Sequence, residues 1–318
     1  MTEQILSKTK LISFIIPVFN EEDNVNRIYD AIISLMKTEL NNFDYEIIFT
    51  DNHSYDGTFE LLRDLANINS CVRIIRFSKN FGYQHSIYTG YLNARGDFAV
   101  QLDADLQDPP ELVPEFIKFW QQGYKVVYGV RKTRKEGWLI QTIRKIFYRL
   151  VDFLSEDSLP HDAGDFRLVD RIVIDILREI DDSQPYLRGT IATMGFNQIG
   201  INYNRRDRKY GQSKFSFRSM VHLSIDAILN HSIIPLRIAS YAGISISFFT
   251  LCLSLIYLFA RLIFAVNMPA GFATTTILIL LSFSVNALFL GIIGEYLGRI
   301  YQQVKKRPLT IIEKRINF

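Results

Sequence analysis

The segment Gln101-Leu102-Asp103-Ala104-Asp105-Leu106-Gln107-Asp108-Pro109-Pro110 places two carboxylates two residues apart. In an extended segment such residues point to the same side, about 7 Å apart along the chain. Asp103 and Asp105 therefore converge on one small volume. Two carboxylates so close repel unless a cation shares the site. Oxygen-only donors suit Mg²⁺ or Mn²⁺ and not zinc. Such an ion can bridge a protein to a diphosphate and neutralise its charge as it leaves. A bare Asp-x-Asp is common in surface turns. This one ends the apolar run Phe98–Leu102 and is followed by two prolines, which stop the strand.

The elements that position these residues are legible as alternating textures. Leu11–Val18, Tyr45–Thr50, Val72–Phe77, Phe98–Leu102 and Lys125–Val130 predict strands. Glu22–Lys37, Thr58–Ala66, Tyr83–Ala94 and Glu111–Gln121 predict the helices between them. Strands alternating with helices predict an α/β fold with a mainly parallel sheet, and nearly continuous apolar strands are expected when both sheet faces are covered. Ligands bind such sheets at the carboxyl ends of the strands. Polar residues stand there in succession: Asn20, Asp51, Lys79 and Asn80, Asp103 and Asp105, then Arg131. Beyond Arg131, helices are predicted at Gly137–Leu154 and Arg171–Ile180, and a polar, basic loop at Asn202–Gln212.

The chain has 318 residues and a net charge of only +3, so no global basic field argues for nucleic acid. Cys71 and Cys252 are too few and too far apart for a structural zinc site, and no oxidising compartment is implied. No Gly-x-x-x-x-Gly-Lys-Ser/Thr is present, which excludes a nucleotide-driven pump of that type. The apolar Leu11–Phe19 is interrupted by Pro17 and followed at once by charge, so a buried strand is expected there and not a signal peptide.

Ile238–Ala260 and Leu262–Gly294 carry no charge at all. A helix needs about 20 apolar residues to span a bilayer, so two membrane spans are expected, at about 238–264 and 272–294. The uncharged turn Asn267–Gly271 makes them a hairpin. From Glu295 onward, six basic residues stand against two acidic ones, and Arg237 precedes the first span. Positive ends stay in the cytoplasm, so both termini and the globular domain are expected there; Arg261 would snorkel to the outer interface. Phe215–Leu229, with Lys214, Arg218 and His222 among its apolar residues, suits a helix lying in the membrane interface. The expected organisation is a catalytic domain over 1–212, an interfacial helix over 213–231, two spans within 232–298 and a basic tail over 299–318.

Several motifs together resemble a known family. Ile15-Ile16-Pro17-Val18-Phe19-Asn20-Glu21-Glu22 resembles the opening strand and loop of family 2 glycosyltransferases. Asp51 through Thr58 resembles their second-strand motif, and Ser78-Lys79-Asn80-Phe81-Gly82 the loop before their next helix. Asp103-Ala-Asp105-Leu-Gln107-Asp-Pro-Pro110 is similar to the version in dolichol-phosphate mannose synthases and bactoprenol glucosyltransferases. Gly164–Leu168, Arg208–Phe215 and Gly294–Arg299 extend the match, and the hairpin is closest to the bactoprenol branch. Two departures stand out. The family usually has Asp and Gly where this chain has Asn52 and His53, and Lys79 stands where Arg is common.

The resemblance implies a Rossmann-like GT-A nucleotide-sugar domain in a multi-pass protein of the bacterial plasma membrane, with a homo-tetramer as the implied assembly. Pro17, Phe19, Glu21 and Asp51 would hold the nucleoside, Asp103 ribose and metal, and Asp105 and Gln107 metal with the diphosphate. Arg131, Arg144 and Arg208 would serve the acceptor phosphate. Phe19 would equally serve as packing, and Arg144 as a solvated helix face. The implied reaction is inverting transfer of one hexose, glucose from UDP-glucose, to undecaprenyl phosphate; UDP-aminoarabinose and GDP-mannose are the alternative donors. A phosphate monoester is already largely dianionic at neutral pH, so it needs alignment and charge relief and not a general base. A processive polysaccharide synthase would need more spans and a Gln-x-x-Arg-Trp motif that neither Trp120 nor Trp138 completes. A non-enzymatic lipid anchor would have no use for Asp103, Asp105 and Gln107 together.

Overall fold

The structure is a computed structural model that describes residues 9–131, 163–180, 182, 185–206, 236, 241–243, 245–246, 248–249, 252 and 271–318. The chain divides into two compact units. One carries the sheet and includes Pro308–Phe318; the other includes Leu223–Arg307.

In the first unit the elements run β1 (Leu11–Val18), α1 (Glu22–Thr38), β2 (Asp44–Asp51), α2 (Thr58–Ile68), β3 (Val72–Phe77), α3 (Tyr83–Asn93) and β4 (Phe98–Gln101). A 3₁₀ turn at Pro110–Leu112 leads into α4 (Val113–Gln121) and β5 (Val126–Arg131). After residues 132–162 come β6 (Ala163–Asp170), α5 (Arg171–Glu179), α6 (Leu187–Thr193) and β7 (Gln198–Tyr203). The sheet has eight strands in the order β7-β5-β6-β4-β1-β2-β3-β8, where β8 is Ile312–Ile316. Only β6 and β8 run against the other six.

Both faces of the sheet are buried, as its apolar strands require. On β1, Ile12, Phe14, Ile16 and Val18 join the layer formed with α1, α2 and α4, while Ile15 joins the layer formed with α3, α5 and α6. Helix α1 supplies Val25, Ile28, Ile32 and Leu35 at helical spacing, with Glu22 and Asp23 at its start and Lys37 at its end, as the helix dipole favours. Helix α5 is capped by Asp170, whose carboxylate accepts from the Ile172 amide at 3.0 Å. Gly90 of α3 lies so close to β1 that a Cβ there would meet Ile15 Cγ2 at 2.3 Å, so only glycine lets this helix reach the sheet.

Strand order reverses at β1, which has β2 on one side and β4 on the other. That is where a crevice opens at the carboxyl ends of an open α/β sheet. Pro17 helps to open it. The β1–β4 ladder ends where the Leu102 amide donates to the Ile15 carbonyl at 3.0 Å. Pro17 has no N–H to extend it, and the chain after Leu102 turns away.

The predicted strands and helices agree with the observed ones to within about two residues at each end. The residues expected as a basic tail divide instead into the end of a 33-residue helix, α7 (Phe272–Val304), and the sheet's edge strand β8. Among the described residues no helix is long and apolar enough to cross a membrane, so the expected hairpin is not found there. The expected interfacial helix, most of the first expected span and several α7 side chains lie outside the described residues, as does Gly137–Leu154.

Candidate active site

The loops after β1 and β2 hold each other. Asn20, at a left-handed φ of 53°, donates its amide to Ser54 Oγ at 2.9 Å, and its side-chain oxygen accepts from the Tyr55 amide at 2.8 Å. The Glu21 amide donates to Thr58 Oγ1 at 2.8 Å, and the Glu21 carboxylate accepts from Asn24 Nδ2 at 2.7 Å. Asp51 is fully buried; its carboxylate accepts from the Ser54 amide at 2.9 Å and from Arg76 Nη1 at 3.1 Å. Burial pushes its carboxyl above the ordinary value, and Ser54 and Arg76 oppose that only in part. Asp51 is thus built into the loop. Phe19, Tyr55 and His53 form an aromatic row, with ring centroids 6.2 and 5.6 Å apart, and Tyr55 is 75% exposed.

At the end of β4 the structure gathers carboxylates. Asp103 Oδ1 accepts from the Tyr83 hydroxyl at 2.6 Å and from Gln101 Nε2 at 3.0 Å. Both donors are neutral. Burial, and then the negative charges of Asp108, Asp105 and Asp165, push the Asp103 carboxyl up to about 7, against the help of Tyr83. Asp105 is buried and accepts from the Gln107 amide at 3.1 Å across Leu106, which is held at a φ of 56°. A left-handed leucine is strained backbone of the kind that functional loops retain. Asp165, although burial alone would raise it, is pulled down to about 2 by Arg188, which grips both its oxygens at 2.8 and 2.6 Å.

Among the described residues no group of three or more His, Cys, Asp or Glu side chains is arranged to hold a metal ion. The donors at hand are hard oxygens from Asp103, Asp105 and Gln107. Mg²⁺ is commonly held by one or two carboxylates together with substrate phosphates, so this set fits a cation shared with a diphosphate and not an all-protein cage.

Asp108 anchors the next group. It is buried, accepts from the Tyr203 hydroxyl, and lies 3.7 Å from Arg131 Nη2 and 3.3 Å from Arg205 Nε. Arg205 Nε is itself buried without a well-formed hydrogen bond. A Cβ at Gly164 would stand 3.2 Å from Arg131 Nη2, so glycine there leaves the guanidinium its place. Tyr203 also lines a cleft of about 380 Å³ with Pro109, Glu111, Leu112, Asn204 and Arg206. Gln107 joins this side, its carbonyl accepting from the Arg206 amide at 2.9 Å.

Of the residues singled out in the sequence, Phe19, Glu21 and Asp51 flank one end of the crevice, with Pro17 beneath them, and Asp103, Asp105, Gln107 and Arg131 the other. Arg144 and Arg208 lie outside the described residues. Tyr83, Gln101, Asp108, Arg188 and Arg205 were not assigned from sequence; the runs Gln101–Pro110 and Ser78–Gly82 and the basic loop Asn202–Gln212 pointed near all of them but Arg188.

The raised Asp103 carboxyl carries a pH signature. The unfolded carboxyl titrates near 3.8 and the folded one near 7, so the folded state binds the extra proton between those values. Its ionisation therefore costs nothing below that window, costs more as pH rises through it, and costs the full amount above about 7. In chelator, Asp103→Asn should gain Tm over wild type progressively from pH 4 to 7, with a constant advantage above 7. A Tm difference independent of pH would remove the raised Asp103 carboxyl from this account.

Comparison with known proteins follows the same residues. The model of glycosyl transferase family 2 matches residues 13–177, which holds β1 through most of α5. An uncharacterised glycosyltransferase of Bacillus subtilis strain 168, YkcC, is 40% identical over 95% of this chain and 93% of its own length. The putative glycosyltransferase CsbB of the same organism is 36% identical over 96% and 92%. A bactoprenol glucosyl transferase of Shigella phage SfII is 31% identical over 95% and 97%. With the family match spanning the crevice and its carboxylates, and relatives aligned over nearly the full chain, the protein belongs to glycosyl transferase family 2.

Proposed function

We propose that the protein transfers a single glucose from UDP-glucose to undecaprenyl phosphate, with inversion, at the cytoplasmic face of a bacterial plasma membrane. The observation that carries the donor half is the carboxylate group at the end of β4, where burial, and then the charge of its neighbours, hold Asp103 near 7. Such a site is stable at neutral pH only with a proton or a cation on it, and a cation would also meet a diphosphate. Mg²⁺ or Mn²⁺ held by Asp103, Asp105 and Gln107 would supply charge neutralisation to the departing UDP. Phe19 and Tyr55 offer ring edges to the base, with Pro17, Glu21 and Asp51 shaping the loop beneath them.

The acceptor half draws on the relatives named for bactoprenol and on the arginines. The lipid phosphate is a dianion and needs no base. One of its oxygens attacks the anomeric carbon, the bond from that carbon to the diphosphate breaks, and UDP leaves. Arg131 and Arg205, together with Arg144 and Arg208, would relieve repulsion between the two phosphate groups, which guanidinium does better than ammonium. Asp108 and Tyr203 hold Arg131 in readiness.

Purified protein offered a panel of nucleotide-sugars should transfer glucose to undecaprenyl phosphate, and Asp105→Asn should lower that rate by at least about 10²-fold. Absence of any transfer to lipid phosphate, or a wild-type rate in Asp105→Asn, would end this assignment.

The membrane part of the reading rests on topology. The chain leaves the sheet after β7 and returns to it as β8, so any crossings between must be even in number. Helix α7 exposes Leu278, Ile279, Phe283, Leu290, Ile293 and Leu297, an apolar surface unsuited to water. We take 1–212 as catalytic, 213–231 as interfacial and 232–298 as the hairpin. A reporter at Ala270 should then behave as external and one after Phe318 as cytoplasmic; the opposite pattern would invert the site of catalysis.

A further inference from the structure

The position after Asn52 is left-handed: His53 has a φ of 60°, a conformation that glycine takes freely and a side chain does not. Strain of this kind persists where surrounding contacts over-determine it, and the contacts of His53 show what holds it. Its Nδ1 lies 2.9 Å from the Phe77 carbonyl, which can only accept, so Nδ1 carries the hydrogen. The same nitrogen is 3.3 Å from Glu313 Oε2 on β8. That carboxylate oxygen also accepts from Arg76 Nε at 3.4 Å, while Arg76 Nη1 holds Asp51 and Nη2 donates to the Ser54 carbonyl at 3.4 Å. One carboxylate on the last strand thus meets the 51–55 loop directly at His53, and reaches Asp51 and Ser54 through Arg76 of β3.

The strand itself is firmly seated. Arg76 pairs with Lys314 and Ile75 with Arg315 in the β3–β8 ladder. The Ser78 amide donates to the Ile311 carbonyl at 2.9 Å, and Asn317 Nδ2 donates to the Ala66 and Val72 carbonyls. The Arg73 guanidinium stacks on the ring of Phe318 at 3.8 Å. None of these contacts needs His53 or Glu313, so the ladder can survive loss of either.

We propose that Glu313 and His53 are positioning residues for the nucleotide: acting through Arg76, they latch the 51–55 loop to β8, so that the strand following the long helix sets affinity for the donor. This rests on the proposal that the loop meets the nucleoside. The Glu313 side chain is half exposed, so its ion pairs are screened and contribute little to global stability. Loss of the latch is therefore separable from loss of fold.

The test is calorimetric affinity of the full-length protein for whichever of UDP and GDP the wild type binds more tightly, with Mn²⁺ present, beside the Tm of each variant. Glu313→Gln should weaken binding by about 5–10-fold with Tm almost unchanged. His53→Gly relieves the backbone, so its Tm should hold or rise while affinity falls by a similar factor. The double variant should be no weaker than either single one, because both break the same latch. Wild-type affinity in both single variants, or losses that multiply in the double, would overturn the inference while leaving the donor site intact. A wild type that binds neither nucleotide would overturn the donor site and the latch together.

Discussion

Negative charge is crowded at the carboxyl end of β4, and much of the surrounding architecture manages that repulsion. Asp165 is neutralised by the two-point grip of Arg188, and Asp108 faces Arg131 and Arg205. Asp103 differs from them: its donors are the neutral Tyr83 hydroxyl and Gln101 amide, which orient the carboxylate without cancelling its charge. Burial and the Asp103 charge keep the Tyr83 hydroxyl well above its ordinary value, so it remains a donor. A carboxylate held in place but left uncompensated is arranged for a cation brought by a ligand. The backbone bears its share of the strain, since Leu106 must turn left-handed between Asp105 and Gln107.

Placement of that charge follows from the sheet. Gly90 lets α3 press onto β1, and Tyr83, at the start of the same helix, reaches Asp103. Pro17 ends the ladder on one side of β1 while the Asn52 amide still reaches the Val18 carbonyl on the other. The crevice therefore opens between β1 and β4, with the Asp51 loop on one flank and the carboxylates on the other. A buried Glu46–Arg73 pair, satisfied further by Ser13 and the Arg95 amide, ties β1, β2 and β3 together.

Much of this was legible in the sequence for a physical reason. Strands β1 to β5 are buried on both faces and read as nearly continuous apolar runs. Strand β6 did not, because Asp165, Arg167 and Asp170 interrupt it, and the two carboxylates are satisfied by contacts local sequence cannot display, Arg188 and the Trp120 indole. Strand β8 has three charged residues in five and pairs with β3 across more than two hundred residues, so a basic tail was the natural expectation. The carboxylates of the Asp-x-Asp segment were visible from spacing alone. Their partners Tyr83 and Gln101 were not, since only the packing of α3 on the sheet brings them there. Asp51 stood out as a strand-end acid, but its contacts with Arg76 and the Ser54 amide did not, since that pairing depends on the register of β2 against β3.

The central claim is that Asp103 and Asp105 form a site completed by a cation and a diphosphate together. Titrating UDP into the protein at pH 7, with Mn²⁺ and then with chelator, in two buffers of different ionisation enthalpy, tests it most directly. The account predicts tight binding only with the cation, and release of a fraction of a proton as Asp103 gives up the one it holds near that pH. Equal UDP affinity in chelator, or cation-dependent binding with no proton released, would contradict it.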